Sequence, residues 1–332
     1  MKCAFCGGNA LQMLETIKIN YRKEDFKVHK KYYKCQDCKQ QFTTDELDNV
    51  NIKQVYNQYR EKYNIPFPEQ LIKARESYGL SAVKMAEVLG FGTNIYRNYE
   101  NGEVPNQSNG TLLNIAMQPT EFLKIVETKD SLFTKKLFDK VVHHIEKAVE
   151  TINNSNYLKK LLWDDKITPN ELSGYSIPSF EKFANIVLFY LEANENIFKV
   201  KMNKLLYYTD FLHFKRFGHS ISGYMYQAIQ MGPVPFRYDA IYDLLTYENF
   251  IDFVFAEVKS SQVVKPVALK KFDKTLFKPS ELEVMDEIFK RFNKINTGEL
   301  IELSHNEKGW IEENKKKGLI SYQKYGYELS IN

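Results

Sequence analysis

The sequence predicts a mainly α-helical chain with small β elements: an N-terminal zinc-bound β-hairpin, a helix-turn-helix domain of four or five helices, and a mostly helical C-terminal domain. Three observations carry this expectation. Two Cys-x-x-Cys pairs bracket a stretch in which apolar and polar residues alternate. Short segments of helical periodicity follow, punctuated by glycine and proline. The second half carries longer apolar-striped segments rich in tyrosine and phenylalanine.

All four cysteines of the 332 residues lie at the N-terminal end, as Cys3-x-x-Cys6 and Cys35-x-x-Cys38. A Cys-x-x-Cys loop aims both sulfurs at one point, so two of them supply four thiolates to a tetrahedral Zn2+. Four thiolates leave no open position for water, which makes the metal structural. Two disulfides are the alternative, disfavoured where the cytosol keeps thiols reduced. Between the pairs Ile17, Ile19 and Tyr21 alternate with polar residues, Arg22 to Asp25 form a polar turn, and Phe26, Val28 and Tyr32 resume the alternation. This is a β-hairpin, whose geometry returns both cysteine pairs to the same place.

Residues 48–63 read as a polar helix stopped by the prolines of "NIPFPEQ". Pro68 then opens a helix with Leu71, Ala74, Arg75 and Tyr78 at helical spacing and Gly79 as its stop. Ser81 caps "SAVKMAEVLG", with Val83, Ala86 and Leu89 on one side and Gly90 at the end. After a turn at Gly92, Thr93 caps a short helix. On it Asn94, Arg97, Asn98 and Asn101 recur at i, i+3, i+4 and i+7, while Tyr96 and Tyr99 point elsewhere. Amides and a guanidinium on one stripe suit base edges, Asn pairing with adenine and Arg with guanine. Two short helices joined through glycine, with the small Ala86 at their approach, make a helix-turn-helix whose second helix reads double-stranded DNA. Its candidate DNA contacts are Thr93, Asn94, Arg97, Asn98 and Asn101. "SNGTLLNIA" supplies one more helix.

Helices are expected near 119–128 and 131–153. His143 and His144 in the second point about 100° apart and form no metal clamp. The polar run from "NNSNY" to Pro178 marks the main boundary. The expected domains are therefore 1–47 (zinc ribbon), 48–128 (helix-turn-helix), 129–175 (helical linker) and 176–332. In the last, "FANIVLFYLEAN" is an apolar helix, and Met202, Leu205, Leu206, Thr209 and Leu212 stripe a second one, enlarged by Phe211 and Phe214. Gly218 to Ala228 reads as extended, "MGPVP" as a rigid bend, 236–246 as a helix, and "GELIELSHNEKGW" as a short helix carrying His305 and Trp310.

Composition bounds the function. A net charge of +4 is too small for a nonspecific DNA coater, so any nucleic-acid role sits in one module. No run of about 18 apolar residues is present and the start, MKCAFCGG, has no signal-peptide pattern, so a soluble cytoplasmic protein with no membrane partner is expected. The 22 tyrosines and 23 phenylalanines suit cores and protein interfaces. Tyr207, Asp210, His213, His219, Asp239 and His305 match no catalytic spacing, neither HExxH nor GxSxG, and the chain is expected not to be an enzyme.

Two resemblances rest on these motifs. Residues 1–117, with paired Cys-x-x-Cys and "LS…MAEVLG…YRNYENG", resemble the MqsA-type (YgiT-type) zinc-finger and Xre helix-turn-helix antitoxins. The resemblance implies a zinc domain that grips a toxin and a helical domain that binds an operator as a homodimer. The chain departs from it at Ala82, where many Xre-like domains carry a phosphate-contacting Gln, and at Thr93, where Ser is usual. About residues 180–315, with "KLLYYTDFLHFKRFGHSISGYMYQAIQMGPVP" and "ELSHNEKGW", resemble the Panacea (SocA-like) domain. That likeness implies neutralisation of a cognate protein toxin by direct binding and carries over to Tyr207, Tyr208, Asp210, Gly232, Pro233, Val234, Pro235, His305 and Trp310. The expected function is a type II antitoxin that represses its own operon; the alternative is a phage or mobile-element regulator, or a proteolytic adaptor, with a non-toxin partner.

Overall fold

In the computed structural model the described residues are 1–153, 168–258 and 261–331. Residues 154–167, which fall in the expected linker and boundary, lie outside them. The chain divides into two compact units, residues 1–55 with 161–332, and residues 56–160. It is mainly helical with small antiparallel hairpins, as the sequence predicts.

The first unit begins with strands β1 (Ala10–Tyr21) and β2 (Glu24–Cys35), antiparallel along their full length from Ala10 opposite Cys35 to Tyr21 opposite Glu24. Arg22 and Lys23, at φ 51° and 70°, are the two central residues of the turn. Positive φ at both gives the twist that matches a right-handed strand pair. Phe26, Val28 and Tyr32 of β2 are buried. A two-residue strand β3 (Gln41–Phe42) adds to β2, and α1 (Asp45–Lys62) follows, counted in the first unit up to Val55 and in the second from Tyr56.

After the undescribed stretch come α8 (Phe180–Ala193) and α9 (Lys199–Phe217). Every residue of α9 from Lys201 to Phe214 is buried. The sequence predicts one core stripe here; the structure surrounds the helix. Strands β4 (Tyr226–Ile229) and β5 (Gly232–Pro235) form a small hairpin, so Gly-Pro-Val-Pro is a strand and not the expected bend. Proline's fixed φ is compatible with extended backbone, and its missing N–H is tolerated in a two-stranded ladder with an open edge. Helix α10 (Tyr238–Tyr247), the hairpin β6 (Ile251–Val258) and β7 (Ser261–Ala268), and helices α11 (Pro279–Phe292), α12 (Thr297–His305), α13 (Lys308–Glu313) and α14 (Tyr322–Tyr325) complete the unit.

The second unit contains α2 (Pro68–Ser77), α3 (Ala82–Leu89), α4 (Ile95–Glu100), α5 (Gln107–Ala116), α6 (Pro119–Glu127) and α7 (Lys135–Asn153) around one core. That core includes Tyr78, Met85, Ala86, Tyr96, Leu113, Phe122 and Ile145. Ser81 caps α3 by accepting from Lys84 N at 3.2 Å, and Gly90 closes it at φ 73°. Val83, expected on the core side, is exposed; Ala82, Met85, Ala86 and Leu89 form the buried stripe at i, i+3, i+4 and i+7 instead. The cap of α4 also shifts. A turn closed by Ile95 N to Gly92 O, 2.9 Å, runs straight into the helix, which leaves Thr93 inside the turn and Asn94 at the N-cap position.

Candidate functional site

Both cysteine knuckles are built alike. Cys3 N donates to Gly8 O at 2.8 Å and Cys35 N to Gln40 O at 3.0 Å. Phe5 N points at Cys3 Sγ and Asp37 N at Cys35 Sγ, each at 3.4 Å. Gly7 and Lys39, the residues after each second cysteine, both have positive φ, 74° and 62°. Gln36 N donates to Asn9 O at 2.8 Å and ties one knuckle to the other at the open end of the hairpin.

The four sulfurs lie within 4.8 Å of one another, with Cys3 and Cys38 3.7 Å apart and Cys6 and Cys35 3.5 Å apart. Zn–S bonds of about 2.3 Å in a tetrahedron place sulfurs about 3.8 Å apart, so donor set and spacing fit a closed tetrahedral metal centre. The N–H groups aimed at Cys3 and Cys35 would offset thiolate charge. Among the described residues this is the one cluster of His, Cys, Asp and Glu side chains able to hold a metal ion.

The outer edge of β2 is held by side chains of α1. Asn51 Oδ1 accepts from Lys31 N at 2.8 Å and its Nδ2 donates to Lys31 O at 2.9 Å. Gln54 repeats the pattern with His29, both bonds 2.9 Å. Two amides one helical turn apart thus replace a neighbouring strand for residues two apart on β2, and cover an otherwise unpaired edge. Gln323 Nε2 donates to Gln54 Oε1 at 3.2 Å, and Lys53 Nζ to Phe217 O at 3.0 Å, joining this assembly to the C-terminal part of the unit. Sequence reading missed these contacts, because Asn51 and Gln54 look like ordinary polar helix residues.

On and flanking α4, Thr93, Asn94, Arg97, Asn98 and Asn101 are all exposed, whereas Tyr96 and Tyr99 are buried. Tyr96 OH donates to Leu71 O at 2.9 Å and Tyr99 OH accepts from Asn109 Nδ2 at 2.8 Å. Ala82, at the start of α3, is buried and packs in the core.

The residues singled out in the C-terminal half lie mostly inside. Tyr207, Tyr208, Asp210, Gly232, Pro233, Val234 and Pro235 are buried, and His305 and Trp310 are half-buried. Asp210 accepts from Ile221 N and Ser222 N at 2.8 Å, Ser222 Oγ at 2.5 Å and Tyr226 OH at 2.8 Å. Burial raises its pKa in spite of these four donors. It fastens the segment before β4 onto α9. Lys204 Nζ donates to Pro233 O at 2.9 Å, and burial brings its ammonium down to about 7. His305 stacks on Trp310, centroids 3.9 Å apart, and Trp310 Nε1 donates to Ile229 O at 2.7 Å. Tyr207 packs its ring on Phe211 and Tyr208 on Phe292, at 4.3 and 4.8 Å. The buried ones among them thus help build the interior of the unit. His213 meets His219, ring centroids 4.8 Å apart, while Asp239 is exposed and paired with Lys199 at 2.6 Å, so the polar residues tested for catalytic spacing form no single cluster.

Residues 1–127 match the family model for the antitoxin component of bacterial toxin-antitoxin system, MqsA, and residues 202–311 match that for antitoxin SocA-like, Panacea domain. The chain joins an MqsA-like segment to a SocA-like Panacea segment. Both are antitoxin families. No curated protein matches the chain. The MqsA-like match covers the cysteine centre and ends with α6; the Panacea match begins inside α9 and ends in α13. No helix among the described residues is long and apolar enough to cross a membrane.

Proposed function

We propose that the protein is the antitoxin of a toxin-antitoxin pair: it neutralises a cognate protein toxin by direct binding and represses its own operon through the helix-turn-helix. The observation that carries this reading is the presence of two antitoxin segments on one chain. The mechanism is occupancy, with no bond made or broken. Zn2+ in the Cys3, Cys6, Cys35 and Cys38 centre stabilises the hairpin. The Panacea segment masks the toxin through side chains outside the buried motif.

Operator recognition falls to α4. Arg97 is exposed, and among the described residues nothing accepts from its guanidinium, which leaves the fork for guanine O6 and N7. A homodimer presents two such helices to half-sites about one DNA turn, or a multiple, apart. Coexpression of the full chain with the small protein encoded beside it, read by growth rescue and copurification, tests neutralisation. Neither rescue nor copurification would sink the antitoxin reading for that pair. Footprinting of the upstream region with wild type and Arg97→Ala tests repression independently.

A further inference from the structure

A cleft of about 440 Å3 opens within the first unit between the hairpin and the C-terminal part. That volume lies in the range of small-molecule sites, about 300–1,000 Å3. One wall is apolar, formed by Met13 and Leu14 of β1, both partly open to solvent. The other is cationic, formed by Lys31, Lys215 and Arg216, with Tyr327 alongside.

Two buried residues on this cleft are incompletely satisfied. Lys31 is 5% exposed, donates to Lys215 O, and has its ammonium 5.2 Å from the ring centroid of Tyr327. No carboxylate lies within ion-pairing distance of it among the described residues, and burial, followed by the Lys215 and Arg216 charges, pushes it down to about 7. Arg216, half-buried beside it, is held by both oxygens of Glu287, at 2.7 and 3.0 Å. Tyr327 is 1% exposed, and its hydroxyl has no hydrogen-bond partner among the described residues. A buried ammonium without a counter-charge is costly, and here it borders an open cleft; the Tyr327 hydroxyl is buried on the Gly218 side, so Tyr327 meets the cleft with the rest of its side chain.

We infer that this cleft binds a small organic anion, its phosphate or carboxylate head against Lys31 and its apolar body against Met13 and Leu14. The anion supplies the missing counter-charge, and β1 supplies the apolar contact. Glu287 is engaged by Arg216, and Glu328 faces Lys308 at 2.7 Å and His29 at 3.9 Å, so neither carboxylate fills that role for Lys31. The inference is independent of toxin neutralisation.

Calorimetric titration of the full-length protein with phenyl phosphate and with benzoate tests it. Saturable binding of either is expected, weakened by salt and weakened about tenfold or more by Lys31→Met, since a charge-assisted hydrogen bond is worth about that factor. Leu14→Trp, at a partly exposed position, fills the cleft and should abolish binding. Phosphate-only, carboxylate-only or dual binding each supports the site and names its head group. No heat with either probe, or equal affinity in wild type and both folded variants, overturns it.

Discussion

His29 of β2 stacks on Tyr327 near the C-terminus, ring centroids 5.8 Å apart and planes 27° from parallel. Both rings are buried, and Tyr327 also packs on Phe214 of α9 at 5.0 Å. The cysteine-bearing hairpin therefore shares its packing with the central helix of the Panacea-like half. Tyr327→Ala should cost about 3–5 kcal/mol, the usual loss for a buried aromatic. Urea unfolding reads the loss; faster exchange of the His29 and Lys31 amides would show that the hairpin edge loosens with it.

Removing the metal should act at a distance for the same reason. Chelation, or Cys35→Ser, is expected to lower protection along α9 in hydrogen exchange while the helices of residues 68–153 keep theirs. Structural metals contribute folding free energy directly. Unchanged α9 protection in a metal-free sample would show that the hairpin is a separable module.

Acid should weaken the protein through His213. Its ring is fully buried, Nδ1 lies 2.8 Å from His219 O, and burial lowers its pKa to about 4. A base whose pKa falls on folding binds its proton better in the unfolded chain, so its neutral form leaves stability intact above about 6.5. Stability is then lost as pH drops toward 4, by about 3 kcal/mol in full. His213→Asn keeps a donor toward His219 O and should flatten the decline between pH 7 and 4; an equally steep decline in the variant would assign it to other groups.

Asn94→Ala and Arg97→Ala should each weaken operator binding by about 1–3 kcal/mol and leave the circular dichroism spectrum unchanged. Tyr96→Ala, which removes a fully buried ring bonded to Leu71 O, should instead unfold the second unit. Fluorescence anisotropy with operator DNA separates the two classes. Wild-type affinity in Arg97→Ala would remove α4 from direct readout.

Gly232→Ala should destabilise the first unit by about 1–3 kcal/mol. Gly232 has φ 95°, and a Cβ there would sit 2.4 Å from Ser304 Oγ and 2.8 Å from Lys204 Cε. A thermal midpoint equal to wild type would mean that β5 shifts without cost.

Some of the candidate site is legible in the sequence. The thiolate cluster follows from two Cys-x-x-Cys spacings around an alternating stretch, and Tyr96 and Tyr99 separate from the polar stripe by helical periodicity alone. Other elements were not read. The β6–β7 hairpin carries β-branched runs, "VFAEV" and "VVKPVA", that could have signalled strands. The Thr93 cap failed because the competing turn at Gly92 depends on a backbone bond that side-chain patterning does not reveal.

The sequence by itself determined the local devices: the knuckles, the hairpin between them, the capped short helices and the polar face of α4. Covalent spacing and helical or strand period are short-range properties, and a chain displays them directly. Tertiary structure alone decided what lies inside. It buried Asp210, Lys204 and His213 on all sides of α9, set Asn51 and Gln54 against the edge of β2, and brought Lys31 to Tyr327. A polar residue looks the same in sequence whether water or a distant backbone group satisfies it, and its partner is chosen only when remote segments pack together.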